Sequence, residues 1–285
     1  MKTWLMGVAI LLAAFSATAQ SWVKIHYDTG AGTPTQQVEG LLRAAEGAPN
    51  GQALLILHHG GGFSFNTTGP YAAFFSRRGF VTLELKMFDV SSDVPAPLVL
   101  RGQMMGALKH LAQIPGVRHV SAMGMSLGAF LAMDASSSWF YDHYQAGALR
   151  FHKLAALYPV CWFYDEALRG NAGDIRPFQG MPADHFQRFA SVPLLILAAG
   201  KDSYDGLDAD ACPQMVRQLP DPRQREITQV QVFPNASHGW DHGRDYSFPV
   251  RGGCKGRTNC TNRITYSPEV TERGKQAMLS FFNQP

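Results

Sequence analysis

The sequence is punctuated by short, unbroken apolar runs at 53–57, 80–85, 117–123, 154–160, 192–199 and 230–233. Runs of this length that do not alternate with polar residues fit strands covered on both faces, as in a mostly parallel sheet. Segments of helical spacing lie between them: Met104, Leu108 and Leu111 share one face, and 127–135 and 207–219 suit helices. The last helix is announced by Ser267 as a cap and Pro268 in the first turn, followed by Val270, Ala277, Met278, Phe281 and Phe282 as its stripe. An opening strand is expected over 22–27. Strands alternating with helices predict the α/β class, with one doubly wound, mostly parallel sheet and helices on both faces.

The first nineteen residues stand apart: Lys2, an apolar run over 4–15, then Ala17-Thr18-Ala19. That is the layout of a secretory signal peptide, and the run is short for a membrane span. The expectation is a leader over 1–19 and one domain over 20–285, exported to a bacterial periplasm or the medium. Within the domain, 163–190 is polar, Gly-containing and rich in aromatics, and reads as an insert suited to a lid or a substrate-facing loop.

Export gives the four cysteines a meaning. Cys254 and Cys260 bracket the stretch CKGRTNC and look like a local staple, which leaves Cys161 and Cys212 for each other. Four cysteines allow three connectivities, and free thiols are the alternative in a chain that is not exported. A metal site is disfavoured because no spacing supplies four ligands. A formal charge of +3 without a dense Lys/Arg stretch gives nucleic acid little to bind.

The run at 117–123 leads into GMSLG, with Ser126 between Gly124 and Gly128 and a helical pattern beyond. A serine at a sharp strand-to-helix turn has its hydroxyl lifted clear of the sheet, and small residues two positions either side relieve the crowding. A hydroxyl needs a base, and the base an orienting carboxylate. Asp202 follows the run at 192–199 in AGKDSYD, and His238 follows 230–233 in PNASHGWD. Ser126, Asp202 and His238 are therefore the candidate nucleophile, acid and base; Asp205 and His242 are their near rivals. For the developing oxyanion, the Leu127 amide follows the nucleophile, and the HHGGGF loop offers the amide of Gly61 or Gly62. Trp162, Phe163, Tyr164, Phe178 and Trp240 are candidates for an apolar acyl or aryl pocket.

These motifs, LHHGGGF at 57–63, GMSLGA at 124–129, ALYPVC at 156–161, LLILAAGKD at 194–202 and VFPNASHGWD at 232–241, resemble the dienelactone hydrolase-like branch of the α/β-hydrolase superfamily. The resemblance spans roughly 52–283 in conserved order. It implies the α/β-hydrolase fold, the triad roles for Ser126, Asp202 and His238, and the Cys161–Cys212 pairing found in exported members. Dienelactone hydrolases themselves use a cysteine nucleophile where this chain has Ser126. The expected activity is therefore general carboxylic ester hydrolysis through an acyl-enzyme. Its rivals are amide or peptide cleavage, acyl transfer, and a silent binding protein on the same scaffold. The expected partner is a small-molecule ester, with no cofactor, metal, nucleic acid or, after leader removal, stable membrane association.

Overall fold

Each central apolar run becomes a strand whose residues divide between two cores. In the computed structural model, which describes residues 20–285, Ala53, Leu55 and Leu57 join one buried cluster, while Leu54 and Ile56 join the other. The leader expected over 1–19 lies outside the described residues.

The chain opens with β1 (Gln20–Tyr27) and β2 (Gln36–Arg43), then β3 (Gln52–Leu57), α1 (Phe65–Ser76), β4 (Val81–Lys86) and α2 (Pro97–Ala112). Next come β5 (His119–Met125), α3 (Leu127–Asp134), α4 (Ser138–His143), β6 (Leu154–Leu157) and α5 (Cys161–Leu168). The remainder is β7 (Leu194–Ala199), α6 (Ala211–Arg217), α7 (Pro222–Ile227), β8 (Thr228–Phe233), the pair β9 (Tyr246–Cys254) and β10 (Thr258–Ile264), and α8 (Pro268–Asn283). Eight strands form one sheet in the order β1-β2-β4-β3-β5-β6-β7-β8. The pairings from β4 to β8 are parallel, and β1 and β2 add an antiparallel edge.

Both faces are covered, as the unalternated runs require. Leu100, Met104 and Leu108 of α2 pack on one face with Phe130 and Leu131 of α3. Tyr71 and Phe75 of α1 and Met278, Phe281 and Phe282 of α8 cover the other. The predicted cap of α8 forms: Ser267 Oγ accepts the Val270 amide at 3.2 Å.

The helix expected over 207–219 is shorter, because exposed Leu207 takes a left-handed φ of 62° and delays helix entry to Ala211. Within 163–190, helix α5 and two short 3₁₀ turns, Ala172–Asp174 and Arg176–Phe178, replace much of the expected irregular chain. Phe178 and Phe186 anchor the segment in the core. The β9–β10 hairpin forms a separate small sheet. Both cysteine pairs close as expected: Cys161–Cys212 ties α5 to α6, and Cys254–Cys260 joins the end of β9 to β10. No helix among the described residues is long and apolar enough to cross a membrane.

Candidate active site

β5 ends at Met125 and α3 begins at Leu127, so Ser126 alone makes the turn, with φ 50° and ψ −105°. This backbone is unfavourable for a side chain by about 1–3 kcal/mol and persists only where its surroundings enforce it. They do so here. A Cβ on Gly124 would collide with the Gly128 carbonyl, and one on Gly128 with the Leu57 carbonyl at the end of β3. The Ser126 amide is held by the Leu157 carbonyl of β6 at 3.0 Å.

The structure brings Ser126, His238 and Asp202 into one hydrogen-bonded chain. His238 Nε2 is 2.8 Å from Ser126 Oγ, and His238 Nδ1 is 2.7 Å from Asp202 Oδ2. Asp202 lies in the turn after β7, and its second oxygen accepts the Tyr204 amide at 2.9 Å. An ionised carboxylate only accepts, so it fixes the proton on Nδ1 and leaves Nε2 free to act as a base. His238 and Asp202 are 4% and 1% exposed, dry enough for these charge-assisted bonds to be strong. The rings of Tyr204 and Tyr158 pack against the imidazole, with centroids 4.7 and 5.0 Å away.

The two rivals are placed elsewhere. Asp205 accepts the amides of Cys161 at 3.0 Å and Trp162 at 2.8 Å, at the start of α5. Burial first, and the Asp202 carboxylate second, push its carboxyl well above the usual range. His242 Nδ1 meets the Tyr246 hydroxyl at 2.7 Å, and its ring lies 4.4 Å from that of His59.

The expectation for Gly61 and Gly62 as oxyanion donors is corrected. The Gly61 amide donates to His59 Nδ1 at 2.9 Å and the Gly62 amide to the His59 carbonyl at 3.3 Å. The Gly60 amide makes no hydrogen bond among the described residues, and Gly60 neighbours Leu127. Its direction has a physical cause. His58 Nε2 accepts the Met87 amide at 3.2 Å, so its proton is on Nδ1, which donates to the His59 carbonyl at 2.8 Å. Across a trans peptide the carbonyl and the following N–H point opposite ways, so pinning the His59 carbonyl inward turns the Gly60 N–H outward. Leu127, as the first residue of α3, also has an amide without a partner in its helix.

Two cavities adjoin the triad. One, about 360 Å³, is lined by Gly60, Leu127, Val94, Pro97, Leu100 and Leu131 on its apolar side, with Arg101 and Arg176 at its polar side. Arg101 is buried against Asp134 and donates to the Pro97 and Pro177 carbonyls at 3.0 and 2.9 Å, pinning the turn at 176–178 to α2. The second cavity, about 320 Å³, holds Ser126 and His238 together with His59, Tyr204, Tyr246 and Phe248.

The five aromatics expected to line a pocket mostly pack elsewhere. Tyr164, Phe178 and Trp240 are fully buried, and Trp162 donates its indole N–H to the Gly253 carbonyl at 3.2 Å. Phe163 is half-buried against Phe130. Besides Tyr204, His59 and His242, the rings lining the cavity with Ser126 and His238 come from β9, whose alternating Tyr246, Phe248 and Val250 are a readable signal of a half-buried strand. Among the described residues, the one group of three potential metal ligands is Cys161, Asp205 and Cys212. Its sulfurs are joined to each other, and both Asp205 oxygens already accept amides.

No protein-family model matches the chain, and no curated protein matches its sequence. Solved structures match its fold over nearly the whole length. Thermogutta terrifontis esterase 2, in a form phosphoramylated by tabun, is 12% identical with a TM-score of 0.62, covering 96% of this chain and 97% of that one. Est1E from Butyrivibrio proteoclasticus is 14% identical with a TM-score of 0.56, over 92% and 99%. The dienelactone hydrolase-like promiscuous phosphotriesterase P91 from metagenomic libraries is 17% identical with a TM-score of 0.56, over 93% and 98%.

Proposed function

We propose that this chain, which has the α/β-hydrolase fold, is a serine hydrolase that cleaves carboxylic esters through an acyl-enzyme. The observation that carries the reading is the chain of short bonds from Asp202 to His238 to Ser126, at 2.7 and 2.8 Å, with Ser126 and His238 lining one cavity and Leu127, next to Ser126, lining another. Ser126 Oγ attacks the ester carbonyl while His238 Nε2 takes its proton, and Asp202 steadies the imidazolium. The carbonyl oxygen becomes an oxyanion received by the amides of Leu127 and Gly60, each such donor contributing about 3 kcal/mol to the transition state. His238 then protonates the departing alcohol. A water that gives its proton to His238 attacks the acyl-Ser126 ester and frees the acid.

The similar structures support the reading by their names, two esterases and a dienelactone hydrolase-like phosphotriesterase. Two disulfides support export to the periplasm or the medium, since such bonds persist in oxidising compartments. The test is steady-state and burst-phase hydrolysis of p-nitrophenyl acetate. A stoichiometric burst is expected, with turnover lost by about a millionfold in Ser126→Ala. Turnover retained in that variant contradicts the proposal.

A further inference from the structure

We infer that the preferred esters carry a planar aromatic group on the alcohol side, selected by the rings of His59, His242, Tyr246 and Phe248. This rests on the hydrolase reading above and deepens it.

The four rings form a continuous wall along the cavity that holds Ser126 and His238. Successive centroids are 4.4, 6.0 and 6.0 Å apart, and successive planes are inclined by 33°, 23° and 24°. Tyr246 is anchored through its hydroxyl to His242 Nδ1 at 2.7 Å, which fixes two of the rings relative to each other. Tyr246 and Phe248 alternate along β9 and so project to the same side of the hairpin. Packing alone does not account for the wall. Rings recruited only for the core would be fully buried, as Tyr158 and Trp240 are, yet all four are half-buried. Each keeps surface open to the cavity.

The chemistry assigns the wall to the alcohol. His238 Nε2 must deliver a proton to the leaving oxygen, so the leaving group lies on the side of the imidazole. The ring-walled cavity is the one lined by His238. The other, lined by Leu127, Leu100, Leu131 and Pro97, shares Gly60 with it but not His238, and suits an aliphatic acyl chain. Near-parallel rings at these separations favour a flat π-system over a puckered ring of similar size. Such contacts contribute about 0.5–1.5 kcal/mol beyond buried area, or roughly threefold to tenfold in rate constant.

The test compares benzyl acetate with cyclohexylmethyl acetate, alcohols of similar bulk and acidity, using p-nitrophenyl acetate to establish basal hydrolysis. The expected kcat/KM ratio is about three to ten in favour of benzyl, falling towards one in Phe248→Leu and in Tyr246→Leu. On the acyl side, methyl phenylacetate and methyl cyclohexylacetate are expected to differ by less than twofold. Product inhibition of the unmodified enzyme needs no variant, and benzyl alcohol is expected to inhibit more tightly than cyclohexylmethanol. Equal constants for the two acetates in an enzyme that hydrolyses p-nitrophenyl acetate overturn the alcohol-side assignment alone. Failure to hydrolyse any of these esters overturns the hydrolase reading with it.

Discussion

Asp202 and Asp205 stand three residues apart, both buried, and the structure gives them different work. Asp202 reaches the imidazole, whereas Asp205 accepts two amides at the start of α5 beside the Cys161–Cys212 bridge. Asp202→Asn preserves shape but places an N–H donor where the imidazole needs an acceptor, so His238 turns to the wrong tautomer. A loss of about 10⁴ in kcat with an unchanged melting temperature is expected, by analogy with the same change in serine proteases. Asp205→Asn keeps one good acceptor and forfeits the other, so its effect belongs to stability. A melting temperature lowered by several degrees with kcat within tenfold of the parent is expected, read by thermal melts and steady-state kinetics. Equal kcat losses in the two variants would contradict this division.

At the level of elements, what the sequence disclosed depended on how locally each signal was written. β3, β5 and β7 are legible because residues on both faces are buried, and burial on both faces leaves an unbroken apolar run. β2, with the mixed QQVEGLLR, and the hairpin β9–β10 are half exposed and carry no such run. α1 was hidden by Gly69-Pro70 inside it, and only its Ser64 cap, which accepts the Asn66 amide at 3.3 Å, hints at a start. The grouping of Ser126, Asp202 and His238 had a related signal: Ser126 and Asp202 follow the buried strands β5 and β7, and His238 follows the shorter apolar run in β8. The cavity walls were not, because they join α2, the turn at 176–178 and β9, whose meeting depends on the whole topology. The two bridges likewise differ in span. Cys161–Cys212 closes a separation of 51 residues and Cys254–Cys260 one of 6. On the chain-entropy model the first contributes about 4 kcal/mol and the second about 2.4. Denaturant unfolding of the paired Cys→Ser variants is expected to show the larger loss for the long bridge, and a reversed order would contradict it.

For the whole molecule, folding takes several histidines out of water in neutral form. Burial is the largest cause in His58, His59 and His242, and lowers each to about 4. In the unfolded chain these groups titrate near 6.5. As pH falls below that value the unfolded state takes up protons first, so the contribution of these histidines is fully present above about 6.5 and is lost progressively towards 4. His110, His152 and His185 are lowered by burial in the same sense, whereas Asp205, Asp241 and Glu84, raised by burial, act in the opposite one. The melting temperature is expected to fall over this interval, with a shallower slope in His58→Asn, which removes one titrating group; a flat profile would contradict the burial account. The proposed activity depends on the Ser126 hydroxyl acting as a nucleophile. A fluorophosphonate probe reports on it directly: Oγ bonds to phosphorus, fluoride leaves, and the adduct is stable enough for intact mass and peptide mapping. A single adduct is expected on the peptide containing Ser126, absent in Ser126→Ala and strongly slowed in His238→Ala; labelling that persists in Ser126→Ala, or maps to another residue, would contradict a nucleophilic Ser126.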